Sequence, residues 1–123
     1  MSVPTTESAA LHKTLIGFPS IVSSWSGGAW SWDTRFGCPT AIVEGEEREA
    51  TLALLRRELP NMYDHTKRAS LPACVAELIE ASGGLRPGQC VIADDGRDGV
   101  YRYALWWPWT NGITVSIRLG IAR

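Results

Sequence analysis

Residues 99–122, "GVYRYALWWPWTNGITVSIRLGIA", hold the pattern on which the fold turns. Side chains alternate through two runs separated by Asn111-Gly112, the signature of antiparallel strands joined by a turn. Pro108 argues against a two-residue Asn-Gly turn, which would set a residue without an N–H at a hydrogen-bonded position. A four-residue loop, Trp109 to Gly112, accommodates it better. Either loop gives the same faces. Ala104, Trp106 and Pro108 join Ile113, Val115, Ile117, Leu119 and Ile121 on one side. Tyr101, Tyr103, Leu105, Trp107 and Trp109 join Thr114, Ser116 and Arg118 on the other. Both sides are apolar, so both require a cover.

Upstream, "QCVIAD" (89–94) reads as a third strand joined to the pair through "DDGRDG" (94–99), a turn composition. Before it the period changes to that of helices. "EGEEREATLALLRRELP" (44–60) predicts a helix from about Glu46 to Leu59, acidic in its first turns, basic at its end and stopped by Pro60. "LPACVAELIEAS" (71–82) predicts another, capped by Ser70, with Leu71, Cys74, Val75, Leu78 and Ile79 buried and Gly83-Gly84 at its end. "NMYDHTKRA" (61–69) reads as a polar connection. "ESAALHKTLIGF" (7–18) predicts a short helix ending near Gly17 and Pro19.

Three indoles crowd the stretch "SSWSGGAWSWD" (23–33). With Gly27-Gly28 as a two-residue hairpin turn, Trp25 opposes Trp30, and Trp32 shares their side. Such a hairpin folded over the C-terminal sheet would bring Trp25, Trp30 and Trp32 onto Trp107 and Trp109 and close its second face. The expectation is a single α+β domain over residues 1–123. A largely antiparallel sheet, made of a C-terminal three-strand meander and an N-terminal Trp-rich hairpin, packs on two to three helices lying to one side.

The formal net charge of −1 supplies no global field toward nucleic acid or anionic lipid. Four sheet aromatics could stack bases, but Arg118 is the one clear cation on their face, too little to neutralise several phosphates. No apolar run approaches the roughly 18 residues of a membrane span. The first residues lack the basic-then-apolar order of a cleaved signal. Three widely spaced cysteines, Cys38, Cys74 and Cys90, form no even disulfide framework, which points to the cytoplasm.

Metal ligation finds no Cys-x-x-Cys or His-x-x-x-His, and "DDGRDG" lacks the spacing of a calcium loop. Neither a metal nor another cofactor is implied. A Cys38–His65 pair is the one conceivable nucleophile and base. Asp33 and Glu77 fall off the apolar faces, so neither is assigned a catalytic role. What remains is an aromatic surface. Tyr101, Tyr103, Trp107, Trp109 and Arg118, with Trp25, Trp30 and Trp32, are the candidate binding residues; Arg118 either stacks on a ring or holds an anion. Trp, Tyr and Arg dominate protein interfaces, so the expected function is a non-catalytic binding module. Its partner would be a protein, a second copy of the chain or a compact apolar ligand. The alternative is a small enzyme or ligand-binding protein with its pocket between the sheet and the tryptophan hairpin.

Overall fold

The computed structural model describes residues 6–123. It is an α+β fold built on one six-stranded antiparallel sheet of order β1-β2-β6-β5-β4-β3. In chain order the elements are α1 (Thr6–Leu15), α2 (Pro19–Ser23), β1 (Ser31–Asp33), β2 (Cys38–Glu44), α3 (Glu47–Glu58) and β3 (Asn61–Asp64). A 3-10 helix (His65–Ser70) then leads to α4 (Ala73–Ala81), β4 (Cys90–Ala93), β5 (Tyr101–Pro108) and β6 (Thr114–Ala122). No helix among the described residues is long and apolar enough to cross a membrane.

The meander has the expected parity. Leu105 faces Arg118, Trp107 faces Ser116, Ala104 faces Leu119 and Trp106 faces Ile117. Pro108 faces Val115, and Trp109 N–H donates to the Thr114 carbonyl at 2.8 Å. The loop is therefore Thr110–Ile113, one residue later than expected, and Pro108 sits where no N–H is needed.

The first face buries Ala104, Val115, Ile117 and Leu119 with Ile92 and Val43 beneath Phe18, Ile21, Leu55 and Leu59. α2 and α3 supply that cover. On the second face Tyr103, Leu105, Val91, Ala93 and Ala122 pack against Val75, Ile79 and Leu85. Helices thus lie on both sides of the sheet, not one, and α4 covers the face that the tryptophan hairpin was expected to close. Two separate cores follow from a sheet apolar on both surfaces.

The Trp-rich segment departs from its expected register. Ile21 and Ser23 belong to α2, and the N-terminal hairpin is β1–β2, turning through 34–37 where Gly37 has φ 64°. Gly27 and Gly28 are not among the positive-φ glycines. They serve close approach: a Cβ on Gly27 would lie 2.7 Å from Val43 Cγ1 and 2.8 Å from the Trp25 ring. Gly28 N–H donates to the Ile42 carbonyl at 2.9 Å, laying the segment flat along β2. Trp25 and Trp30 do meet, with centroids 4.4 Å apart and planes at 37°.

Two smaller corrections concern the middle of the chain. Residues 61–64 of the supposed polar connection form edge strand β3, with Tyr63 opposite Val91 and Met62 opposite Ile92. Ser70 does not cap α4, whose N-cap is Pro72 without a side-chain hydrogen bond.

Candidate functional site

The tip of the β5–β6 hairpin carries two exposed large apolar side chains. Ile113 is 54% exposed and Trp109 48% exposed, although sequence parity alone assigned Ile113 to the core. Asn111 builds the tip. Its Oδ1 accepts from the N–H groups of Ile113 and Thr114, both at 2.9 Å, and its Nδ2 donates to Thr114 Oγ1 at 2.9 Å. Trp109 Nε1 donates to Ser116 Oγ at 2.7 Å, which holds the indole against β6.

Helix α3 begins beside this tip and is tied to it. Gly45 N–H donates to the Ile113 carbonyl at 3.1 Å, and Arg48 Nη1 donates to the Gly112 carbonyl at 2.8 Å. From that junction a groove of about 690 Å³ opens between α3 and the sheet, its apolar floor made of Leu52, Trp106, Pro108 and Val115. Glu46, Arg48 and Glu49 form the rim. The groove lies on the first face. It was missed in the sequence because Trp106 and Pro108 carry the same strand alternation, and Leu52 the same helical spacing, as core residues.

The eight aromatic and arginine residues singled out above do not form one surface. Tyr101, Tyr103, Trp107, Trp109 and Arg118 share the second face in the expected register. Tyr103 is buried there, and Tyr101 and Trp107 are half-buried against the α4 core. Trp25 and Trp30 pack against the core of the opposite face. Trp32 also turns to that side, because its neighbours Ser31 and Asp33 pair with Thr40 and Cys38 on the Arg118 side. Seven of these eight side chains thus sit at least half inside the molecule, and Trp109 is the exposed one.

Arg118 stacks on Phe36, its guanidinium carbon 4.4 Å from the ring centroid, and its Nε contacts Asp33 Oδ2 at 3.3 Å. Neither partner was foreseen, since the β1–β2 turn that delivers them depends on the hairpin register. Cys38 lies beside this pair; burial pushes its thiol up to about 11, against a smaller opposing pull from Arg118. Burial likewise raises the Tyr103 phenol to about 12. Cys38 does not meet His65: β2 and β3 are four strand spacings apart in the sheet, roughly 19 Å.

In "DDGRDG", Asp94 holds its own turn. Its Oδ1 accepts from Gly96 N–H and Arg102 N–H, and its Oδ2 pairs with Arg102 Nε at 3.0 Å. Among the described residues no three His, Cys, Asp or Glu side chains gather as a metal site would require. No family model, curated protein or solved structure matches the chain.

Proposed function

We propose that this chain is a non-catalytic cytoplasmic binding module that takes a protein partner on the β5–β6 tip and the adjoining groove beside α3. The observation that carries the reading is an apolar groove floor next to an exposed apolar tip: the part-exposed Trp106, Pro108 and Leu52 along the groove, Ile113 at the tip and Trp109 on the tip's other face. Exposed apolar surface bordered by polar groups costs solubility and is characteristic of interaction sites, and tryptophan is the side chain that most often anchors them. The groove is open along α3, which suits a protein segment better than a compact ligand. A pocket against Trp25 and Trp30 is not favoured, since both rings are spent on packing.

Chemistry supports the non-catalytic half of the reading. Cys38 and Tyr103, the groups displaced furthest, are both moved away from neutral pH, so neither is a ready nucleophile or base there. Cys38, Cys74 and Cys90 are free thiols, as in a reducing compartment.

The test is photo-crosslinking in the native host from a reactive amino acid placed at Ile113 or Trp109, with Arg97 at the opposite end of β5 as the control. Both tip positions should trap one discrete protein and Arg97 should not. Equal capture from Arg97, or no protein captured from the tip, would remove the proposal.

A further inference from the structure

The groove is apolar along its floor and acidic around its mouth. The segment "EGEERE" (44–49) brings Glu44, Glu46, Glu47 and Glu49 to the start of α3, all exposed. A helix N-terminus attracts carboxylates, but here none is used as a cap: the N-cap makes no side-chain hydrogen bond. The ion pairs seen among the described residues, Arg102–Asp94 and Arg118–Asp33, engage none of these glutamates. Arg48, the cation in their midst, turns its Nε and Nη1 to the carbonyls of Gly45 and Gly112. Glu46 and Glu49 line the groove's rim with Arg48, while Glu44 and Glu47 line a separate depression beside Gly28 and Ile42. The start of α3 thus carries four carboxylates against one arginine in a molecule whose net charge is only −1.

We propose that the groove receives a basic segment of a partner protein. An apolar side chain of that segment lies on Trp106 and Leu52, and lysines or arginines on either side of it face Glu46 and Glu49. The proposal rests on the groove being a protein-docking site, and it adds the chemistry of the occupant. Charges at a rim act mainly on encounter rate and partner choice, through a field that reaches about 8 Å at physiological salt. The apolar anchor holds the complex once formed.

The experiment is an amide-resonance titration of the whole chain with three synthetic peptides: a central leucine flanked by lysines, the same peptide with serine for leucine, and a leucine flanked by glutamates. The lysine–leucine peptide should shift amides in 46–52 and 106–115 and bind more weakly as salt rises. Substituting serine for its leucine should cost about fivefold or more. Glu46→Lys with Glu49→Lys should reverse the preference toward the glutamate-flanked peptide. Glu46→Gln with Glu49→Gln should abolish the preference without reversing it; both glutamates are exposed, so the fold is retained. Equal binding of the lysine and glutamate peptides, shifts elsewhere on the surface, or self-association through the same amides would overturn the basic occupant. If those charge results fail while the tip still traps a protein, the docking site stands and only its occupant is wrong.

Discussion

At Gly120 the β6 backbone passes directly under the Tyr103 ring, and a Cβ there would overlap the phenol. The glycine is needed for this close approach, which lets a tyrosine lie flat across the sheet under α4. Gly120→Ala should destabilise the fold by roughly 1–3 kcal/mol, the cost of overpacking a filled core. Denaturant midpoints measure this, and Ser116→Ala, on the same strand face but half-exposed, should cost far less. Beside it, Cys38 and Tyr103 make stability depend on alkaline pH. Each holds its proton longer folded than unfolded, Cys38 to about 11 against 9.0 and Tyr103 to about 12 against 10.0. Between those limits the unfolded chain binds fewer protons, so stability should fall as pH rises from about 9 toward 12. Denaturation curves for the protein and Cys38→Ala should differ in that window. Thiol reagents near neutral pH should reach Cys74 and Cys90 well before the buried Cys38.

Among the elements, the β5–β6 hairpin carries the proposed site, and Asn111 is its clasp. Removing the side chain in Asn111→Ala leaves the N–H groups of Ile113 and Thr114 without their shared acceptor. The expected loss is about 1–2 kcal/mol, confined to the tip. Hydrogen exchange should quicken for 109–114 while the amides of β4 and the middle of β6 keep their protection. The hairpin itself was legible: alternation, Asn-Gly and Pro108 specified two strands and their faces, and left open the length and placement of the loop and, with them, the pairing register. The tryptophan segment was not. Gly-Gly is equally suited to a tight turn and to lying close against another strand, and nothing local separates the two. The strand pattern of 61–64 was hidden similarly, because a four-residue edge strand is too short to show a period and gains its structure from pairing with β4.

On the scale of the whole molecule, the sheet is sandwiched, with α2 and α3 over one core and α4 over the other. That arrangement explains why a chain with six tryptophans shows few exposed rings. Tyr103 and Leu105 lie under α4, Trp25 and Trp30 close the flank of the first core, and Trp109 and Ile113 stay exposed at the hairpin tip. The acidic start of α3 comes to that tip through the bonds of Gly45 and Arg48 to the hairpin. Partner recognition should therefore be sensitive to salt, whereas folding, with two part-buried ion pairs and two apolar cores, should be much less so. Thermal melting at low and high salt, compared with peptide binding under the same conditions, separates the two responses.

Alternation along consecutive residues is enough to assign which side chains share a sheet face, because successive Cβ atoms must point to opposite sides. The α+β class, the three helices of nine or more residues, the meander and the sheet face that carries Arg118 follow from that local geometry and from helix periodicity. Which helix covers which face, where the glycine pair packs and which apolar residues stay uncovered depend on contacts between segments distant in the chain. Those contacts decide that Trp106 and Pro108 border a groove while Tyr103 is buried, although all three lie in one strand, β5.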